Sequence, residues 1–313
     1  MSKKKILGTV LLLITAIIWG GSFVAQSSGG DAIGPFSFSC LRFTIATVSM
    51  LPVIPLLDKK SGSAIIPKNS ADKKLLIKAG VTCGVFLTGT SVFQQLGMYM
   101  GTSSGKAGFL TACYIVFVPI IGLFLKKKSA VNVWLAVGIT LCGLYMLCVN
   151  EGFSVRGSDL LVLVCAFMCA SRIMAVDKFV GRVDTARLAC VQFATAAILS
   201  GILMFFFDMK ASVAGIAQWY QSLASTGVWV SLLYAGVLAG ATAFTLQIVG
   251  QRDLNPTVAS LLMSLESAFS VLAGWLILGD KLSAKELTGC AVIFVAMVIS
   301  QLPEKSKSRA LSA

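Results

Sequence analysis

Ten apolar runs, each close to the length of a membrane-crossing helix, follow one another along this chain of 313 residues. They lie at roughly 6–26, 34–57, 75–100, 107–125, 129–149, 158–176, 186–207, 228–250, 258–278 and 287–302. A bilayer core of about 30 Å needs about 20 apolar residues per helix. Every backbone N–H and C=O inside it must be paired, which leaves helices or a closed barrel. Barrel strands are shorter and alternate in hydropathy, and these runs do neither. The longest connectors, 58–74 and 208–227, leave no room for a soluble domain of any size. The expected fold is an all-α membrane protein with ten transmembrane helices. The MSKKK start followed by an apolar run mimics a signal peptide. The run is long, lacks an obvious small-residue cleavage site and belongs to the repeat described below, so it reads as a retained first helix.

Only 12% of the residues are charged, against about 25% in a soluble domain. The formal net charge is nevertheless +13, a balance that in a soluble protein points to nucleic acid. Placement decides the matter. With the N-terminus in the cytoplasm, 18 basic residues fall on that side: Lys3, Lys4, Lys5, Lys59, Lys60, Lys68, Lys73, Lys74, Lys126, Lys127, Lys128, Lys178, Arg182, Arg187, Arg252, Lys305, Lys307 and Arg309. Five fall on the other: Lys106, Arg156, Lys210, Lys281 and Lys285. That asymmetry is a topology signal. It predicts a multi-pass protein of the plasma (inner) membrane with both termini cytoplasmic. The partners expected are the lipid bilayer and a small-molecule substrate, with no nucleic acid. Oligomeric state is not legible.

Histidine is absent, which excludes histidine metal sites, serine–histidine triads and histidine proton relays. The nine cysteines all lie inside apolar runs and read as small hydrophobes at helix contacts. Cys165 and Cys169 are four apart on one helix face, but no other soft ligand is near in sequence. No cofactor and no metal are expected.

The chain also repeats itself. An offset of 152 aligns Gly84 with Gly236, Val85 with Val237, Thr90 with Thr242, Gln95 with Gln247, Ala107 with Ala259, Phe117 with Phe269 and Gly122 with Gly274. Offsets of 149 and 150 align Gly8 with Gly157, Ser22 with Ser171, Cys40 with Cys190 and Phe43 with Phe193. Apolar coincidences are cheap, so the polar pairs carry most of the weight. The division expected is 1–150 and 151–302, five helices each, followed by a tail 303–313. An odd number of helices per unit inverts the second copy. Inverted repeats with a site near the midplane recur in secondary transporters.

The polar residues within the runs are few enough to weigh singly. Glu266 sits near the middle of the ninth run. An ionisable group there marks a substrate or proton-coupling site by default; a structural carboxyl bonded to hydroxyls or backbone is the alternative. Arg42 in the second run either partners Glu266 or snorkels to the interface. Arg172, about four residues from the end of the sixth run, reads as a snorkel, and so does Lys78. Gln94 and Gln95 in the third run and Gln247 in the eighth need partners on other helices. The Gln95/Gln247 symmetry suits either a central site or a paired structural hinge. Trp19, Thr111 and Tyr114 either line a cavity or pack. Gly80-x-x-x-Gly84 and Gly236-x-x-x-Gly240 allow close helix approach. Gly20-Gly21 and Pro119 are candidate bends.

These residues carry a resemblance. Trp19-Gly-Gly-Ser-Phe23, Gln94-Gln95-Leu-Gly97, GKAGFLTACYIVFVPIIG at 105–122 and TLQIVGQRDLNPTVASLLMSLESAFSVLAGWLILGDKLS at 245–283 resemble the EamA family of the drug/metabolite transporter superfamily. The similarity covers nearly the whole chain as two repeats of about five helices. The family usually has Glu where Asp280 stands, which keeps the charge. It often has proline after the Glu of the ninth helix, where Ser267 stands, a change that would remove a kink. The resemblance implies a ten-helix inner-membrane carrier that mostly exports small metabolites such as amino acids, or drugs. It implies a central cavity lined by helices 1, 3, 4, 6, 8 and 9. On this chain that favours Trp19, Gln94, Gln95, Tyr114, Gln247 and Glu266, with Glu266 the candidate for proton coupling.

The function expected is secondary transport by alternating access, without enzymatic chemistry. The alternatives are a lipid flippase or scramblase, and an uptake carrier of the same fold. A membrane-embedded enzyme would need catalytic groups clustered at one depth, and Glu266 is the one clearly mid-helix carboxylate.

Overall fold

The described part of each apolar run is largely helical in a computed structural model of the chain, which describes residues 3–60, 66–102, 104–127, 129–148, 156–273 and 283–301. Gly274, Asp280, Lys281 and the tail 303–313 lie outside the described residues. Helices α1 (Lys3–Ile33), α2 (Pro35–Lys60) and α3 (Ser70–Tyr99) take the first three runs. The fourth is divided into α4 (Ser104–Ala112) and α5 (Tyr114–Phe124), and α6 (Val131–Cys148) takes the fifth. The second half opens with α7 (Gly157–Phe179) and α8 (Thr185–Leu203), which runs into a π-helical turn, Met204–Asp208. A short helix, α9 (Val213–Ser222), occupies the connector. The eighth run comprises α10 (Thr226–Leu233), a π-helical stretch Tyr234–Ala243 and α11 (Phe244–Gln251). The chain continues through α12 (Pro256–Met263), α13 (Glu266–Ala273) and α14 (Ala284–Gln301). Among the described residues there is no β-strand.

Seven of these helical stretches are long and apolar enough to cross a membrane, and two shorter apolar ones, Val131–Met146 and Pro256–Leu272, accompany them. Their outward faces are apolar as well: Ile17, Val48, Phe124 and Ile198 are exposed. In water such a surface would be a liability, whereas in hydrocarbon it is the expected one.

Local chemistry sets the ends. Asn69, Asp184 and Asn255 accept the first free N–H groups of α3, α8 and α12 from Asp72, Arg187 and Thr257 at 2.8, 2.9 and 2.9 Å, as N-caps do. Pro256 occupies the first turn of α12, where its missing N–H is harmless. At the start of α8, Arg187 also grips Asp58 at the end of α2 through a two-bond fork of 3.1 and 2.6 Å. That guanidinium holds the Asp58 carboxyl below its ordinary range.

Glycine allows the helices of the two halves to interlock. A Cβ on Gly84 of α3 would stand 2.5 Å from the Thr195 Cβ and 2.9 Å from the Gln192 carbonyl, both on α8. A Cβ on Gly236 would stand 2.7 Å from the Ile45 Cβ and 2.9 Å from the Arg42 carbonyl, both on α2. The contacts are reciprocal: the offset that pairs Cys40 with Cys190 also pairs Arg42 with Gln192 and Ile45 with Thr195. The third helical run of each half therefore crosses the second run of the other at the same point.

The helix is not interrupted at either candidate bend. Helix α1 runs unbroken through Gly20 and Gly21. A Cβ on Gly20 would lie 2.9 Å from the Glu266 carbonyl, and one on Gly21 would lie 2.5 Å from the Tyr234 hydroxyl. These glycines permit close approach. Pro119 lies inside α5, and the fourth run breaks earlier, at Cys113. The ninth run breaks between Met263 and Glu266 although Ser267 is not proline. Cys113 and Leu265 are 152 apart, so the breaks are repeat-equivalent.

Candidate functional site

The breaks place two side chains. Tyr114 begins α5 and Glu266 begins α13, immediately after the interruptions. Both are buried, Glu266 at 6% exposure. The Tyr114 hydroxyl lies beside the Glu266 carboxyl, without the geometry of a formed hydrogen bond. These residues are themselves 152 apart. Repeat-equivalent residues become neighbours only close to the axis that relates the repeats, so the pair marks where the two halves meet.

A cavity opens at this point. Its walls come from α1 (Trp19, Ser22, Gln26), α2 (Arg42), α3 (Leu87, Thr90, Ser91, Gln94), Thr111 with Tyr114, α7 (Cys169, Arg172), and Ala235, Ala239, Phe244 and Glu266. Its free volume is ≈ 70 Å³, less than half of the roughly 150 Å³ that holds a benzene ring. The carbonyls of the π-helical stretch face α1. Ala239 accepts the Trp19 indole N–H at 3.0 Å, and Ala243 accepts the Thr15 hydroxyl at 3.2 Å. The Trp19 ring meets Phe244 edge-on at 4.8 Å. Gln94 donates to the Thr111 hydroxyl at 3.0 Å, as a buried amide must.

Trp19, Gln94, Tyr114 and Glu266 thus share one cavity. Gln95 and Gln247 stand behind its wall. Gln95 donates to the Gln26 carbonyl at 3.0 Å, and the Gln247 side-chain oxygen accepts from Arg172 at 2.7 Å.

The arginines depart from expectation. Arg172 does not snorkel: it is 1% exposed. Its guanidinium is held by the Gln192 oxygen through two bonds of 3.3 Å and lies 4.5 Å from the centre of the Phe244 ring. Helix α7 continues past it to Phe179. Arg42, 8% exposed, bonds Gln26 at 2.8 Å and Ser91 at 2.6 Å and lies 4.7 Å from the Phe43 ring. It forms no ion pair with Glu266 among the described residues. Each half therefore buries one arginine against a glutamine, with the order exchanged. Gln26 on the first helix serves Arg42 on the second, and Arg172 on the first is served by Gln192 on the second. The Arg42/Gln192 coincidence at offset 150 was a usable signal for this exchange. Lys78 is exposed, as a snorkel would be.

Residues 6–149 and 156–301 each match the model of the EamA-like transporter family. The chain belongs to that family. This EamA-like protein is 28% identical over 303 residues to an uncharacterized transporter of Archaeoglobus fulgidus, covering 96% of this chain and 87% of the relative. It is 24% identical over 290 residues to the uncharacterized transporter YoaV of Bacillus subtilis, covering 90% and 92%. A crystal structure superposes with a TM-score of 0.76 at 16% identity, over 97% of this chain and 98% of that one. At that identity the likeness is one of fold alone. Family and apolar helices together identify a multi-pass membrane protein of a transporter family.

Proposed function

We propose that this EamA-like protein is a secondary carrier that exports a small metabolite, amino acid-like in size, or a drug across the plasma membrane by alternating access. In this reading ten helices cross the membrane as two inverted units, 1–150 and 151–302, with both termini in the cytoplasm. The observation that carries it is the cavity at the meeting of the halves, where repeat-equivalent Tyr114 and Glu266 lie side by side. Two similar units in opposite orientations can exchange conformations, which opens the shared cavity to one side and then the other. The small volume of the cavity supports a narrow state of such a cycle, since a whole metabolite needs more room.

Comparing solutes inside and outside cells that overproduce the protein with cells that lack it tests the reading. A small solute displaced across the membrane is the expected result, and identical distributions would remove the carrier role.

Glu266 is the proposed proton-coupling group, with Trp19, Gln94, Gln95, Tyr114 and Gln247 as binding or supporting residues. The ionisable and charged groups that share its cavity are Tyr114, Cys169, Arg42 and Arg172. Glu266→Gln keeps the shape and removes the titration. In proteoliposomes it is expected to slow movement of the solute about tenfold, equivalent to about 1.4 kcal/mol in the barrier, and to flatten its pH dependence. A variant with the parent's rate and pH profile would show that Glu266 does not couple.

A further inference from the structure

The charges around the cavity do not balance. Among the described residues its walls hold two guanidinium groups, Arg42 and Arg172, and one carboxyl, Glu266. No ion pair joins Glu266 to either arginine among the described residues. The partners of the guanidiniums are neutral: Gln26 and Ser91 for Arg42, Gln192 and Gln247 for Arg172. Amide and hydroxyl oxygens satisfy hydrogen bonds and cancel no charge. Burying an unpaired cation is expensive in protein and in membrane alike.

Donors also remain to be used. A guanidinium carries five N–H groups. Arg42 engages two of them, and its buried Nε has no partner. Arg172 engages three. Both cations rest on rings of one aromatic cluster: Arg42 on Phe43 and Arg172 on Phe244, with the two ring centres 6.5 Å apart. The cluster fixes the guanidiniums, and Phe244 with its edge-on neighbour Trp19 forms part of the cavity wall.

We propose that the cavity is built for a small organic monoanion whose carboxylate is held by Arg42 and Arg172. This rests on the carrier reading and narrows its substrate class. With Glu266 ionised, one negative charge beside it gives two carboxylates for two guanidiniums; with Glu266 protonated, the substrate carboxylate is the anion that faces them. A zwitterion adds no net charge and leaves the excess in place, and a cation enlarges it. An amino acid qualifies when its own net charge is −1.

The test uses isosteric probes on the purified full chain: acetate and acetamide, which suit the ≈ 70 Å³ of the narrow state, and benzoate, benzamide and benzamidinium, which need the wider state of the carrier cycle. Binding is read from tryptophan fluorescence and from thermal stabilisation in detergent. Benzoate is expected to bind about tenfold or more tightly than benzamide, a difference of about 1.4 kcal/mol or more, and benzamidinium not to compete with it. Arg42→Gln and Arg172→Gln should each weaken benzoate by a similar factor, and lysine at either position should recover part of the loss by restoring the charge. The proposal is overturned if neither anion is preferred over its amide in the parent protein. It is also overturned if a folded Arg42→Gln/Arg172→Gln double variant keeps the parent's benzoate affinity. Transport separates the two readings. Solutes that cross proteoliposomes without charge preference would leave the carrier standing and remove the anion site. Charge-selective binding without movement of any solute would do the reverse.

Discussion

Gly84→Leu and Gly236→Leu are each expected to abolish recovery of folded protein. The reason is geometric. An added Cβ at Gly84 meets the Gln192 carbonyl at 2.9 Å, and one at Gly236 meets the Arg42 carbonyl at 2.9 Å. Neither obstacle is the far end of a flexible side chain, so relief requires two long helices to separate. Overpacking typically costs about 1–3 kcal/mol per site, and leucine carries three further carbons into the same crossing. Alanine gives a graded version. Its better helix propensity returns about 1 kcal/mol, and a net loss of about 1 kcal/mol is expected at each glycine. Gly138→Ala is the control, because no atom lies within 4 Å of its added Cβ. It should be neutral or mildly stabilising. The measurement is the folded peak in size-exclusion chromatography after a heat ramp in detergent. Alanine variants at 84 and 236 as stable as the parent would contradict the close crossing.

Gln192→Leu is expected to cost about 3 kcal/mol, and Arg172→Met less, although the arginine is the larger group. Losing Gln192 takes away the oxygen that receives two of the three bonds made by Arg172 and leaves a buried cation under-partnered, a situation worth about 3–5 kcal/mol. Losing Arg172 leaves neutral glutamine oxygens, about 1–3 kcal/mol each at most, and relieves the burial of the charge. The Arg172→Met/Gln192→Leu double variant should therefore be more stable than Gln192→Leu alone. Apparent Tm values in detergent for the four proteins close the cycle. Additive losses would mean that the two residues do not act as a unit.

The helices were legible because a lipid environment admits few alternatives, and hydropathy reports it directly. Helix α9 was not, since its ten residues fill a connector too short and too mixed to register as an apolar run. The breaks at Cys113 and Leu265 carry no glycine or proline of their own, so no residue type announces them in the sequence. Arg172 reads as a snorkel from its distance along the chain, which does not report depth. Its acceptors, Gln192 and Gln247, are 20 and 75 residues away in sequence and come together only in the fold. Gln95 and Gln247 show the limit of symmetry: one donates to a backbone carbonyl and the other accepts from a guanidinium. Their register coincides while their surroundings differ. The Tyr114/Glu266 coincidence was available at the same offset, but unlike residues do not announce themselves as equivalents.

The reciprocal glycine crossings also have a kinematic meaning. Each ties one half of the molecule to the other at a point where a glycine backbone lies against a Cβ and a carbonyl of the facing helix, with no glycine side chain to repack. A rigid body held at two points keeps a single freedom, rotation about the line through them. If the halves move as units and both crossings persist, their relative motion reduces to one hinge angle about the axis from Gly84 to Gly236. Every distance across the cavity between the halves is then a function of that single angle.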